Sequence, residues 1–403
     1  MKKCLGDIAT YINGYAFKPS DRGLEGLPII RIQDLTGNSY DVGYYNGTYP
    51  SKIEINDGDV LISWSASLGI YVWDRGKALL NQHIFKVLFD KIETNKWYFV
   101  FSVKYKLQEM ELKTHGATMK HIVKKDFDNI LIPFPTLEKQ NNIADILLKI
   151  KKIIVVRQQQ LDDLDKLVKA RFVEMFGDPI SNPFGWTVKK LADVSVLITN
   201  GNTPKGGSEN YVDKGIMFLR SQNVWRNRID LDDVAYIDME THAAMAKSSV
   251  HDKDILITKT GRINTENSSL GRAALFRGAD NSANINGHVY LVRLDGTVVP
   301  EYVVAILTGE PYRRYIRKVC VGGIDKRQIN LDQVEDFPII LPPIELQEQF
   351  SSFVTRTDKS KFRLEKNTKN LCPEFYCTIM ICFLFAVRLI MLQERQRTPE
   401  QML

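Results

Sequence analysis

Apolar residues recur along this chain in two different periods. Short apolar and β-branched runs bounded by Gly, Asn and Asp predict β-strands joined by turns over most of its length. These runs are Leu27–Ile32, Val60–Ser63, His83–Phe89, Ile216–Leu219, Ile255–Thr258 and His288–Leu294. A helical spacing follows each set of strands, over Lys96–Leu112 and over Pro300–Val319. The pattern therefore predicts two α+β domains.

A different period occupies the middle of the chain. Between Leu137 and Phe176 there is no Gly or Pro, and apolar residues alternate at intervals of four and three. The predicted seam consists of Ile143, Leu147, Ile150, Ile154, Leu161, Leu164 and Val168. This repeat predicts a long helix paired with another as in a coiled coil, whereas an ordinary core helix seldom keeps it for so long. About 40 residues at roughly 1.5 Å each give a rod on the order of 60 Å.

The partner of this rod is expected at the equivalent place after the second domain, over residues 344–370. Its seam becomes polar after the first turns, and Pro373 interrupts it because proline lacks the amide hydrogen and clashes with the preceding turn. The 13 residues Phe375–Val387 carry no charge, but a membrane span needs about 20 apolar residues. The tail therefore favours a frame change or truncation near Asn370.

The two domains repeat one another in sequence. The matched segments are Leu5–Ile8 with Leu191–Val194, Asp57–Ile62 with Asp252–Ile257, Asn81–His83 with Asn286–His288, and Pro135–Gln140 with Pro342–Gln347. A repeat of this length indicates a duplicated domain rather than a solenoid module. The predicted organisation is a first domain at 1–136, a central helix at 137–176, a second domain at 177–343, a shortened helix at 344–370 and an aberrant apolar tail at 371–403.

Composition adds a modest bias toward a polyanionic partner. Lys and Arg number 54 against 48 Asp and Glu, which gives a formal charge of +6, although a mildly basic protein without such a partner fits equally well. The five cysteines show no metal-ligand spacing, and the start of the chain has no apolar core of a signal peptide. Reduced thiols and a cytoplasmic location are expected.

Candidate DNA contacts occur at matching places in both repeats. The basic candidates are Lys120, His121, Lys124 and Lys125 in the first repeat and Lys326 and Arg327 in the second. Such clusters can neutralise phosphates, although a solvated surface is the common alternative. The polar candidates are Arg31, Gln33 and Asp34, matched by Arg220, Gln222 and Asn223. Amides and short carboxylates can contact base edges or cap turns, and the sequence does not separate these two roles.

Several other residues favour structural roles. His83 and His288 precede matching strands, and Trp64 and Trp225 lie in polar loops. For the histidines a hydrogen-bonded structural role is favoured over base contact, and for the tryptophans packing is favoured over stacking on bases. No dinucleotide fingerprint, zinc-protease helix or nuclease triplet is present, so neither catalysis nor a metal site is expected of this chain.

The ordered set of motifs resembles the specificity subunit of type I restriction-modification systems. The resemblance is carried by the Leu-Gly-Asp-Ile opening at Leu5–Ile8, the strand at Gly58–Ser63, the two Pro-x-x-Glu-x-Gln segments and the Phe-Gly-Asp-Pro exit at Phe176–Pro179. It covers roughly residues 4–370, and the tail departs from it because the family's second helix should continue for about as long as the first.

The resemblance implies two target-recognition domains, each reading one half of a bipartite site in double-stranded DNA. It also implies that the two helices pack as an antiparallel coiled coil with a pseudo-two-fold axis. Methyltransferase subunits holding S-adenosylmethionine would bind the helices, and motor-nuclease subunits using ATP and Mg²⁺ would join them. Two alternatives stay open: a stand-alone nuclease or methyltransferase with an unrecognised site, and a truncated, non-functional variant.

Overall fold

The computed structural model describes residues 1–38, 41–113, 122–204, 206–265 and 267–369. The described residues divide into two compact units, one made of residues 1–158 with 366–369, the other of residues 159–365. The predicted tail and the proposed frame change near Asn370 lie outside the described residues.

The first domain is a mixture of short strands and helices. Its strands are β1 (Lys2–Cys4), β2 (Thr10–Asn13), β3 (Leu27–Ile30), β4 (Gly43–Tyr45), β5 (Glu54–Ile55), β6 (Val60–Ser63), β7 (Gly69–Val72), β8 (Ala78–Leu80), β9 (Ile84–Leu88) and β10 (Leu131–Pro133). Its helices are α1 (Leu5–Ile8), α2 (Ile32–Thr36), α3 (Lys96–Lys113) and α4 (Lys124–Asp128), and the long helix α5 (Leu137–Phe176) follows.

The second domain contains the same elements with additions. Its strands are β11 (Thr187–Lys190), β12 (Ser195–Asn200), β13 (Ile216–Leu219), β14 (Val224–Trp225), β15 (Arg228–Ile229), β16 (Ala235–Ile237), β17 (Ser249–Val250), β18 (Ile255–Thr258), β19 (Thr260–Arg262), β20 (Ala273–Leu275), β21 (Ala283–Ile285), β22 (Val289–Leu294), β23 (Val321–Gly322), β24 (Lys326–Gln328) and β25 (Pro338–Leu341). Its helices are α6 (Met239–Ala244), α7 (Pro300–Thr308), α8 (Glu310–Val319), α9 (Leu331–Glu335) and α10 (Ile344–Lys369).

The sheets of the two domains have matching strand orders. The order β2-β9-β6-β7 returns as β12-β22-β18-β20, and β4-β3-β8-β5 returns as β16-β13-β21-β17. The pair β1-β10 returns as β11-β25. Register is also kept, since Val60 lies opposite Val87 and Ile255 lies opposite Val292. The predicted duplication and the α+β class are therefore confirmed.

The central strand of each domain separates two hydrophobic cores. All four residues of β6 and of β18 are buried, as expected of an uninterrupted apolar run covered on both faces. Because neighbouring side chains on a strand point to opposite faces, Val60 and Ile62 lie in one core and Leu61 in another. In the second domain Ile257 and Leu256 are divided in the same way.

The central helix has the predicted bounds. The helix ends at Phe176. The next residue, Gly177, adopts a left-handed conformation with φ of 77°, and the amide of Gly177 donates to the carbonyl of Val173. Glycine suits this position because it has no Cβ to clash in that conformation.

The predicted seam divides between two kinds of contact. In the first unit Ile143 and Leu147 pack against Tyr98 and Phe101 of α3, so this end of the seam faces a helix of its own domain. Of the other seam residues, Ile154 is buried, and Ile150, Leu161, Leu164 and Val168 are half-buried. The prediction that the seam packs on the second long helix therefore needs correction at its N-terminal end, where the aromatic face of α3 covers it.

In the second unit α5 and α10 run antiparallel. The ring of Phe350 near the start of α10 lies 5.5 Å from that of Phe172 and 5.6 Å from that of Phe176, at the end of α5. Farther along α10, Lys361 forms an ion pair with Asp165, which lies farther back along α5. These contacts fix opposite directions for the two helices.

A buried glutamine fastens the first long helix to its domain. Oε1 of Gln140 accepts a hydrogen bond from the backbone amide of Asn95 at 3.0 Å, just before α3, and its Nε2 donates to the carbonyl of Pro135 at 3.0 Å. Beside it, the hydroxyl of Tyr98 donates to the carbonyl of Pro133 at 2.7 Å. Burial raises the pKa of Tyr98 to about 12, so this hydroxyl keeps its proton at neutral pH.

The second domain repeats this pair of glutamine hydrogen bonds, which we call the glutamine clamp. Gln347 accepts from the amide of Val299 at 3.0 Å and donates to the carbonyl of Pro342 at 2.9 Å. The hydroxyl of Tyr302 donates to the carbonyl of Ile340 at 2.9 Å. The Pro-x-x-Glu-x-Gln segments therefore attach each long helix to its domain through the last residue of the motif.

The helical spacing predicted over Pro300–Val319 is confirmed, and the structure divides it at one residue. The segment Pro300–Val319 forms two helices, α7 and α8, separated at Gly309, whose backbone is extended with ψ of 151°. Pro311 lies in the first turn of α8, where its missing amide hydrogen leaves no bond unmade. A continuous helix would have needed that hydrogen.

Gln347→Ala is expected to destabilise the second unit by about 1–3 kcal/mol, because it leaves the amide of Val299 without an acceptor. Glu348→Ala removes a neighbouring exposed side chain and should change stability by less than about 0.5 kcal/mol. Urea unfolding, with hydrogen exchange at Val299, measures both. Equal effects of the two substitutions would refute the role of Gln347 in attaching α10 to the second domain.

Candidate DNA interface

The polar candidate segments lie at the same point of both domains. Arg31 follows β3 and Arg220 follows β13, the strands at equivalent positions of the matching sheets. Oδ2 of Asp34 accepts from the backbone amide of Arg31 at 2.7 Å, and Oδ1 of Asn223 accepts from that of Arg220 at 2.9 Å. The structure thus places both short polar side chains in turn-capping positions.

Both capping residues are buried. Asp34 is 5% exposed and Asn223 is 2% exposed. Nδ2 of Asn223 also donates to the carbonyls of Asp230 and Asp233, at 3.0 Å each. Their base contacts stay a prediction, and this geometry favours the turn-capping alternative.

An aspartate neutralises the candidate arginine in each domain. The guanidinium of Arg31 lies 3.4 Å from the carboxylate of Asp41, and that of Arg220 lies 3.2 Å from the carboxylate of Asp233. Hydrogen bonds from Arg31, then from Arg22, hold the pKa of Asp41 below its usual value. The charge available to DNA at Arg31 and Arg220 is reduced accordingly.

The two candidate glutamines are held by the same networks. With its amide oriented to suit its neighbours, Gln33 accepts from the guanidinium of Arg31 at 2.8 Å. Nε2 of Gln222 donates to Asp233 at 2.6 Å. Gln222 is nonetheless exposed, so of the four capping and amide candidates it has the most open access to solvent.

The basic candidates of the second domain lie on an additional sheet of order β19-β24-β23. Lys326 is exposed at the start of β24. Arg327 is half-buried, and its Nε donates to the carbonyl of Gly323 at 3.1 Å. Lys326 is thus free to reach outward, whereas Arg327 also holds the hairpin.

The basic candidates of the first domain are only partly placed. Lys120 and His121 lie outside the described residues. Lys124 on α4 forms an ion pair with Asp128 at 2.7 Å, and Lys125 is exposed. Lys125 is therefore the first-domain candidate whose charge is the more available.

The matched histidines each supply a backbone carbonyl to the equivalent residue, and a hydrogen-bonded structural role for their rings stays a prediction. His83 adopts a φ of 71°, its ring lies 4.8 Å from that of Trp64, and its carbonyl accepts from the amide of Trp64 at 3.2 Å. In the second domain the carbonyl of His288 accepts from the amide of Lys259 at 2.9 Å. Trp64 and Lys259 therefore occupy equivalent places on the two scaffolds.

A group missed by the sequence reasoning surrounds Trp225. The guanidinium of Arg272 lies 3.9 Å from the centre of its ring, and that of Arg228 lies 5.4 Å from it. In the sequence, the run Trp-Arg-Asn-Arg at 225–228 indicates that Trp225 and Arg228 lie close together. Arg272 is too distant in sequence for a local pattern to reveal it.

Comparison with known proteins places this architecture in a family. A family model described as the type I restriction modification DNA specificity domain matches residues 1–166 and 183–372. The chain belongs to this family. Both α+β domains are therefore DNA specificity domains, and the chain is a type I specificity subunit.

Individual members of the family match over most of the chain. The type I restriction enzyme EcoBI specificity subunit of Escherichia coli is 22% identical over 395 residues, covering 91% of this chain and 81% of that protein. The MjaVIII specificity subunit of Methanocaldococcus jannaschii is 24% identical over 393 residues, covering 91% and 89%.

Solved structures share the fold. The S subunit of the type I restriction-modification system from M. genitalium aligns with a TM-score of 0.55 at 13% identity, over 96% of this chain and 94% of that one. A chain from a study of assembly and conformational transition of the type I system aligns with a TM-score of 0.53 at 15% identity, over 96% and 97%.

No described helix is both long and apolar enough to cross a membrane. Within the same part of the chain, no group of three or more His, Cys, Asp or Glu side chains is placed to hold a metal ion.

Asn223→Ala is expected to destabilise the second unit by about 1–3 kcal/mol, because a buried amide and two carbonyls lose their partner. Gln222→Ala changes the adjacent residue, which is exposed, and should lower the free energy of unfolding by less than about 0.5 kcal/mol. Thermal unfolding of both variants measures the difference. If Asn223→Ala left stability unchanged while Gln222→Ala lowered it, the capping assignment would be wrong.

Proposed function

We propose that the two domains each contact one half of a bipartite site in double-stranded DNA, and that the long helices bind the other subunits of a type I complex. The observation that carries this proposal is the duplicated scaffold matched twice by the DNA specificity family. One scaffold present twice, with different loops, suits two half-sites of different sequence. The chain itself contributes recognition and assembly rather than catalysis.

Differences at equivalent positions support separate half-sites. Trp64 follows β6 where Lys259 follows β18, although both donate their amide to a histidine carbonyl. Trp64 stacks on Phe85 at 5.6 Å between ring centres, whereas the ammonium of Lys259 lies 5.7 Å from the ring of Tyr290. The equivalent positions therefore differ in chemistry, with a packed indole in the first domain and an ammonium in the second.

Exposed apolar residues on α5 support a role in assembly. Ile146, Ile153 and Val156 are about half exposed, at 49%, 47% and 47%. Their spacing of seven and three residues places them on one face of the helix. The buried seam residues, such as Ile143 and Leu147, hold the helix in place and leave this other face for a partner.

The partners proposed for these helices are methyltransferase subunits and, with them, motor-nuclease subunits. S-adenosylmethionine, ATP and Mg²⁺ are assigned to those partners, and none of them to this chain. A cytoplasmic location follows from the same proposal, because such a complex acts on cellular DNA.

Lys326→Ala and Lys125→Ala are each expected to weaken binding to DNA of any sequence and to lower the slope of log K against log salt by about 0.9, the loss of one phosphate contact. Lys166→Ala is the matched control, because Lys166 is exposed on α5 and already forms an ion pair with Asp163 at 3.1 Å. Titrations at several salt concentrations measure the slopes. Unchanged slopes for Lys326→Ala and Lys125→Ala would remove these residues from the interface.

The purified chain with DNA, S-adenosylmethionine and Mg²⁺ is expected to bind the DNA without cleaving or methylating it. Turnover by the chain alone would contradict the non-catalytic assignment. Addition of methyltransferase subunits should then produce methylated adenines at two short sequences separated by unspecified base pairs. Methylation at a single continuous sequence would contradict the bipartite reading.

A further inference from the structure

A short hairpin of the second domain packs against strands β18 and β20, with Val224 buried in the core beneath it. Strands β14 and β15 pair with Trp225 opposite Arg228, so Arg226 and Asn227 form a two-residue turn. Asn227 adopts a φ of 58°, which asparagine tolerates well. The turn is therefore built without glycine.

The turn is fixed from two sides. The amide of Asn227 donates to the carbonyl of Ala273 in β20 at 2.9 Å. Its Oδ1 accepts from the hydroxyl of Thr308 at the end of α7 at 3.1 Å. The side chains on this hairpin are consequently presented in a fixed arrangement.

Two arginines contact the ring of Trp225. Arg272, only 8% exposed, lies against the indole with its Nε donating to the carbonyl of Ser268 at 3.0 Å and its terminal nitrogen donating to the carbonyl of Asn267. Arg228 also lies over the ring, with a side chain that is 65% exposed. A planar guanidinium suits such stacking, and an ammonium does not.

Within the described residues, the charged groups that contact this ring are the guanidiniums of Arg272 and Arg228. Among the described residues, Arg272 has no carboxylate partner, and the carboxylate of Asp230 lies 3.7 Å from Arg228. Burial, then Arg226 and Arg228, lower the pKa of Arg272. Because buried cations are usually paired, a group of this kind is suited to an anion supplied from outside.

Within the described residues of the first domain, the matching turn is followed by no strand pair of this kind. Asp34, which matches Asn223, lies within α2, and this helix is followed by Gly37 and Asn38. Neither residue is basic or aromatic. The basic hairpin therefore distinguishes two domains that otherwise share sheet order and register.

We infer that the 224–229 hairpin and Arg272 form a phosphate-binding element of the second domain, with Arg228 reaching the DNA backbone. This inference rests on the proposed DNA-binding function. Trp225 orients the guanidiniums, and Arg272 adds a fixed positive charge behind Arg228.

The test is the salt dependence of binding to a labelled double-stranded DNA of mixed sequence, using the full chain. Arg228→Gln is expected to make the fall of log K with log salt less steep by about 0.9. Arg228→Lys keeps the charge but loses the stacked plane, so the slope should stay as in the unaltered chain while affinity falls. Arg277→Gln is the matched control, because Arg277 lies in the same domain, has a side chain that is 54% exposed, and is already paired with Glu301 at 2.7 Å.

The outcomes separate this inference from the proposed function. A lower slope for Arg228→Gln but not for Arg277→Gln supports the hairpin as a phosphate contact. Salt-dependent binding with equal slopes for Arg228→Gln and the unaltered chain overturns the inference and leaves DNA binding intact. A loss confined to particular DNA sequences, with an unchanged slope, assigns Arg228 to base contact and also overturns it. Absence of any DNA binding by the unaltered chain overturns both.

Discussion

The buried glutamine at the start of each long helix is the constraint on which the rest of the structure depends. Gln140 and Gln347 each join the loop before a domain helix to the first turn of a long helix. A buried amide has both a donor and an acceptor to satisfy, and here a single backbone arrangement satisfies both. The direction in which each long helix leaves its domain is therefore set by bonds within that domain.

This constraint applies to the scaffold of each domain and leaves the loops free to differ. Sheet order, register and the glutamine clamp are common to both domains, whereas the loops after β3 and β13 and the residues after β6 and β18 differ. The differing residues include Trp64 against Lys259 and the basic hairpin around Trp225 against α2. Two readers of different sequence can therefore share one framework without sharing a DNA-facing surface.

Sequence reasoning was most accurate where a single local rule applied. Strands β6, β13 and β18 were predicted at their observed bounds because they are uninterrupted apolar runs, and α5 because Gly and Pro are absent from it. The helical patch predicted at Pro300–Val319 was confirmed, whereas its division at Gly309 was not predicted, because periodicity does not report a single interrupted residue.

The candidate site was harder to predict because its decisive contacts are not local. Asp34 and Asn223 have side chains that can either read bases or cap turns, and only the surrounding backbone separates these roles. Arg31 and Arg220 could not be weighed without knowing that Asp41 and Asp233 lie beside them. The stacking of Arg272 on Trp225 joins segments that no periodicity connects.

The pairing of the first and last strands of each domain has an evolutionary consequence. Because β1 lies beside β10 and β11 lies beside β25, the chain enters and leaves each domain at neighbouring points. Recombination that replaced everything between two such strands would exchange a whole reading module together with its side of the helix attachment, such as Asn95 and Tyr98 in the first domain. A new DNA specificity is then acquired in one genetic event whenever the incoming module offers the glutamine the same backbone partners.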